Sequence, residues 1–150
     1  VSQVIVKSPC VGVCSTGIGD AVCRGCKRYC HEIIGWNSYS GGERQAILKR
    51  LDSLLVQVVK SKIIITNENY LRSQIEHQCI RFDPGANPYC WVFGLLKAGA
   101  GQISNLKEFG CKVLPEYSKY RLTELRDSID EDFYVLSTVH YQRYFQQQPH

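Results

Sequence analysis

Four cysteines near the start of the chain carry its clearest chemistry: Cys10, Cys14, Cys23 and Cys26, in the pattern Cys-x3-Cys-x8-Cys-x2-Cys. Thiolates are soft ligands, and four of them within 17 residues are what tetrahedral zinc or an iron-sulfur cluster requires. Two pairs separated by a loop fit a closed zinc site better than the tightly spaced three-cysteine runs common for cubane clusters. Zinc is therefore the expected ion, and an iron-sulfur cluster is the alternative. Four protein ligands leave no open position, so zinc here is structural, whereas a cluster would point to electron transfer or redox sensing. Gly25 allows the tight Cys23-Arg-Gly-Cys26 turn in which backbone N–H groups point at sulfur. The loop has only Val11, Val13, Ile18 and Val22 to bury, too little to offset its ordering entropy, and a bound metal supplies that free energy directly.

Other residues near this cluster have blander readings. Cys30, four residues after Cys26, is a half-buried thiol or a fifth ligand, and His31 beside it is a packed or solvated residue before it is a ligand. Cys79, Cys90 and Cys111 fit no familiar ligand spacing and read as buried thiols. Lys7, Arg24, Lys27 and Arg28 surround the cysteines. They either grip a polyanion such as RNA, or offset the net negative charge that four thiolates leave on a divalent ion. Tyr134, Tyr141 and Phe145 read as packing aromatics rather than a base-stacking surface. Gly99-Ala-Gly101 follows a helix and precedes no Lys-Ser or Lys-Thr, so it is no phosphate loop.

Composition bounds these choices. The 150 residues are 44% hydrophobic and 21% charged, the profile of a globular chain with a real core. The net charge of +4 is uneven: residues 1–62 hold nine Lys or Arg against four Asp or Glu, and residues 63–150 hold nine against ten. No apolar run approaches the roughly 20 residues of a membrane span. Val1 to Pro9 has no apolar core of a secretory signal, which makes a reducing cytoplasm the expected location and eight cysteines more a metal-site than a disulfide signature.

The elements that must position the cysteines are mostly helical. Val1 to Lys7 reads as an extended arm and the glycine-bearing stretch from Cys10 to Cys26 as a loop. Lys27 to Trp36 reads as a short helix with Ile33 and Trp36 turned toward that loop. Ser40-Gly-Gly-Glu43 is a capping box opening a long helix to about Lys60, with Ile47, Leu51, Leu54, Leu55 and Val58 on one stripe. Thr66 or Asn67 caps a helix bearing Leu71, Ile75 and Cys79, and Ile80 to Phe82 reads as a short strand. Asn87-Pro88 opens a helix with Val92, Leu95 and Leu96 inward, ended by Gly99 to Gly101. Ser104 to Phe109 is a short helix stopped by Gly110, and Lys112 to Leu114 a strand. Asp130 to Phe145 is the last helix, with three acids at its N-terminal end and Phe133, Leu136, Val139 or His140, and Tyr144 inward; Gln146 to His150 frays.

In order and spacing, Ser8-Pro9-Cys10, Val13-Cys14, Cys23-Arg-Gly-Cys26, Arg28, Glu32-Ile33, Trp36 and the Ser40 to Glu43 helix start resemble the bacterial family called domain of unknown function 1289. The resemblance covers roughly residues 8–52. It implies an iron-sulfur or zinc centre on the four cysteines and no established activity. Cys30 departs from the family pattern, which favours the four-ligand set, and residues 53–150 lie beyond the shared part.

Together these readings predict a mainly α protein. An N-terminal four-cysteine metal knuckle packs on a small helical domain, with at most two or three short strands. Residues 1–62 form the metal module and 63–150 a helical extension, with a boundary near 61–66. The expected function is that of a cytoplasmic binding or adaptor module for RNA or an acidic protein. An iron-sulfur redox protein is the alternative, and an enzyme using His77, Cys79 and Cys90 is the least favoured.

Overall fold

The computed structural model describes residues 6–146. The arm expected over residues 1–5 and the end expected to fray over 147–150 lie outside that range. Among the described residues five α-helices and one two-stranded sheet are joined by short 3-10 segments, Leu106–Phe109 among them, and a last π turn, so the protein is mainly α. It forms two compact units. One comprises the chain up to Leu54 together with the chain from Phe133, and the other is Leu55–Asp132. The division falls inside the long second helix, and the second half of the last helix belongs to the first unit.

In the first unit α1, Cys30–Gly35, follows the cysteine loop. Helix α2, Gly41–Lys60, starts where the capping box places it: Glu43 N–H donates to Ser40 Oγ at 3.2 Å and Ser40 N–H to Glu43 Oε1 at 3.1 Å. Its predicted stripe of Ile47, Leu51, Leu54, Leu55 and Val58 is buried throughout. Glu32 on α1 is buried, accepts the Tyr29 N–H at 2.8 Å, and takes both terminal nitrogens of Arg50 on α2, the second at 2.7 Å. Arg50 also lies 4.0 Å over the Tyr29 ring. This forked ion pair fixes α1 on the first half of α2.

In the second unit β1, Ile63–Ile65, pairs antiparallel with β2, Cys111–Val113, in the register Ile63 to Val113 and Ile65 to Cys111. Gly110 turns the chain into β2 with φ 71°, and a Cβ there would stand 2.7 Å from the Asn67 carbonyl oxygen. Helix α3, Glu68–His77, is capped by Asn67, which accepts the Tyr70 N–H at 3.0 Å, and buries Leu71 and Ile75. Each such side chain contributes about 2 kcal/mol by leaving water. Helix α4, Pro88–Gly99, buries Val92, Leu95 and Leu96 as its pattern predicts.

The structure corrects three local expectations. Ile80 to Phe82 is not a strand; the Trp91 indole donates to the Asp83 carbonyl at 2.7 Å and packs edge-on to Phe82, which ties this segment down as irregular chain. Helix α5, Leu122–Tyr141, begins eight residues before Asp130, because Leu125, Ile129, Phe133 and Ser137 form one buried face and Glu124, Arg126 and Asp127 lie off it. Asp130, Glu131 and Asp132 are therefore mid-helix, and Val139 and Tyr144 are exposed. Cys79 lies past the end of α3, exposed, with φ 57°; Cys90 is half-buried, and only Cys111 of the three later thiols is buried. No helix among the described residues is long and apolar enough to cross a membrane.

Candidate metal centre

Sequence reasoning takes Cys10 to Cys26 as loop, but its last part is a tight hairpin. Val22 bridges Tyr29 antiparallel. Inside that bridge the Cys23 N–H donates to the Arg28 carbonyl at 2.9 Å, and the Lys27 N–H donates back to the Cys23 carbonyl at 2.8 Å. Lys27 closes the turn in the left-handed region, with φ 66°. Apolar Val22 and Tyr29, 2% exposed each, flank the Cys-x-x-Cys turn and are the sequence signal that could have revealed the hairpin.

The turn places Cys23 and Cys26 together, both buried. Burial alone would raise the Cys23 thiol pKa, but the backbone N–H groups of Cys26, Ser15 and Gly25 and the Cys26 thiol outweigh it and bring the value down to about 7. Amide donors converging on one sulfur stabilise a thiolate, the species that binds metal. Burial pushes the Cys26 thiol up, against the pull of Arg28, whose Nε donates to Cys26 Sγ at 3.3 Å. Arg28 is buried and lies 4.9 Å over the Trp36 ring, so Trp36 faces the cysteine hairpin as its spacing predicts. Lys27 is buried as well, and its Nζ donates to the carbonyls of Arg24 and Gly25, the second at 3.1 Å.

The segment carrying Cys14 runs across this turn. Cys23 Sγ donates to the Val13 carbonyl at 3.4 Å, and the Arg24 N–H donates to Ser15 Oγ at 2.8 Å. Gly25 makes the crossing possible: a Cβ there would meet the Val13 carbonyl oxygen at 2.4 Å. Cys14 thus sits between two residues bonded to the Cys23 turn, although its own thiol is exposed and 3.0 Å from Thr16 Oγ1. Cys10 is also exposed, and its sulfur accepts the Gly12 N–H at 3.4 Å. The structure therefore groups Cys23 with Cys26. Among the described residues no three His, Cys, Asp or Glu side chains stand close enough together to hold a metal ion.

Of the four cations noted beside the cysteines, Lys27 and Arg28 face the hairpin, and Lys7 and Arg24 are exposed. Arg24 pairs with Asp20 at 3.6 Å and lies 4.4 Å over Tyr134. Cys30, half-buried, is the first residue of α1 and hydrogen-bonds through its N–H to the Ala21 carbonyl. His31 packs against Phe145 at 5.0 Å, and Tyr141 and Phe145 pack on Tyr29. These aromatics are engaged within the first unit.

A mainly helical protein with a buried Cys-x-x-Cys hairpin, its sulfurs met by amides and a guanidinium, is the class that fold and site define. The chain belongs to the family described as protein of unknown function DUF1289, whose profile matches residues 8–54. An uncharacterized protein YdhL of Escherichia coli K12 is 36% identical over 56 residues, 37% of this chain and 70% of the relative. The YdhL of Escherichia coli O6:H1 is 43% identical over 44 residues, 29% of this chain and 54% of the relative. No solved structure matches the chain.

Proposed function

We propose that the first unit is a metal-binding module in which Cys10, Cys14, Cys23 and Cys26 hold one zinc ion with a structural role. The observation that carries this reading is the donor set around Cys23, where three backbone N–H groups and a neighbouring thiol pull a buried sulfur toward its anionic form. A thiol that is merely buried behaves in the opposite way, as Cys111 does, pushed up to about 12. The folding argument points in the same direction. Of the loop's apolar residues only Val22 is buried, while Val11, Val13 and Ile18 are 57%, 64% and 87% exposed. Hydrophobic burial contributes little order to this loop, and a metal ion bound by four thiolates supplies the missing free energy when present.

In this role Arg28 and Lys27 serve the hairpin itself: one offsets charge at Cys26 and the other ties the turn's carbonyls. A binding face for RNA or an acidic protein would then rest on Lys7 and Arg24. Four protein ligands leave no position for a substrate, so the module belongs to a binding or adaptor protein, with a cytoplasmic setting to keep its thiols reduced. Cobalt(II) replacement tests the ligand set. Intense sulfur-to-cobalt charge transfer with tetrahedral d–d bands, weakened in each of the four single Cys→Ser variants and unchanged in Cys30→Ser, is the expected result. Spectra of Cys10→Ser and Cys14→Ser identical to that of the parent chain would rule the four-thiolate site out.

A further inference from the structure

The second unit contains a cleft of about 810 Å³ between the segment from Ala100 to Lys107 and the segment from Lys112 to Thr123. That volume falls within the roughly 300–1,000 Å³ of small-molecule sites. Its lining combines apolar and aromatic surface with charge of one sign. Lys107, Lys112 and Arg121 line it, and no Asp or Glu among the described residues does. This bias is local, since residues 63–150 carry nine cations against ten acids. Among the described residues no carboxylate pairs with Lys107 or Lys112, and Arg121 reaches only Glu124, at 3.7 Å, with 86% of its side chain exposed.

One wall of the cleft is held from behind. Lys62 is 2% exposed, and its Nζ lies 2.7 Å from Asp132, donates to the Tyr117 hydroxyl at 3.2 Å, and sits 4.2 Å over the Tyr117 ring. Tyr117 in turn meets Tyr120 edge to face at 5.3 Å, and both rings line the cleft above buried Leu106. A held tyrosine ring beside three cations, of which Lys107 and Lys112 have no carboxylate partner among the described residues, suits a flat ring carrying negative charge.

We propose that this cleft binds a small aromatic anion, its ring against Tyr117 and Tyr120 and its carboxylate or phosphate among Lys107, Lys112 and Arg121. The site lies outside residues 8–54 and is independent of the cysteine hairpin.

The test is a titration of the full chain with phenyl phosphate, benzoate and neutral benzyl alcohol, followed through the aromatic NMR signals of Tyr117 and Tyr120. Saturable shifts are expected with at least one anion, the stronger of the two reporting whether the site prefers phosphate or carboxylate, and none with benzyl alcohol. Lys112→Glu should weaken binding about tenfold, the effect of losing one hydrogen bond to a charged group. Should that strand variant melt early, Lys107→Glu, outside both strands, carries the same comparison. Absence of saturable shifts with both anions, equal binding of benzyl alcohol, or undiminished affinity in a folded charge-reversed variant overturns the proposal.

Discussion

Arg28 donates its Nε to Cys26 Sγ at 3.3 Å while its guanidinium lies 4.9 Å over the Trp36 ring. A buried cation packed over an indole does not swing away to solvent, so its charge stays at the sulfur. Arg28→Met should keep the packing on Trp36 but lose that charge. Zinc affinity, measured by competition with a chelator, is expected to fall about tenfold or more, as losses of partners to metal ligands do. Unchanged affinity would show that Arg28 serves packing alone.

Gly25 is where the Cys14 segment crosses the hairpin, and an added Cβ would meet the Val13 carbonyl at 2.4 Å. Gly25→Ala should therefore push the two segments apart and cost about 1–3 kcal/mol of stability, the range for overpacking. Gly17→Ala, which meets nothing within 4 Å, is the control and should melt within a degree or so of the parent. Calorimetry on the two variants makes the comparison.

Glu32 and Arg50 form the forked ion pair between α1 and α2, with side chains 6% and 22% exposed. Glu32→Gln leaves a largely buried guanidinium without its counter-charge, and the expected loss in urea unfolding is about 3 kcal/mol. The double variant Glu32→Leu with Arg50→Met should recover much of that loss, since both desolvated charges are then gone. A double variant no more stable than Glu32→Gln would argue that the pair contributes net attraction beyond its desolvation cost.

Features with a local cause were the legible ones in the sequence. The Ser40 and Glu43 capping box, the α2 stripe and the Asn67 and Asn87 caps all depend on residues within a turn or two of each other, and all are found where their patterns place them. The start of α5 is obscured in the sequence because charged residues crowd its first turns, and only the register of Leu125, Ile129 and Phe133 reveals that those charges lie on the outer face. The Val22 to Tyr29 hairpin is not legible in the sequence because its pairing is short and closed by Lys27 in a left-handed conformation that a lysine does not advertise. At the candidate site the cysteines are plain in the sequence. The inward placement of Lys27 and Arg28 is not, since charge alone does not tell a surface cation from one that serves a sulfur.

Cys111 on β2 gives the stability a defined pH dependence. Burial pushes its thiol from 9.0 up to about 12. The folded chain therefore keeps a proton that the unfolded chain releases above about pH 9. Its contribution is fully present below pH 9 and is lost as pH rises toward 12, by up to about 4 kcal/mol over that interval. Cys111→Ala should be less stable than the parent at pH 7 through lost packing, yet should decline less between pH 9 and 11. Parallel decline of the two melting temperatures would contradict this assignment.

The most direct test of the four-cysteine centre is metal and acid-labile sulfide analysis of protein purified without oxygen, on the parent chain and on Cys23→Ser. About one zinc per chain without sulfide, lost together with the fold of the first unit in Cys23→Ser, is the predicted result. Iron with stoichiometric sulfide would replace the zinc assignment with a redox cluster on the same thiols. A parent chain that folds and melts cooperatively with neither metal would contradict the account.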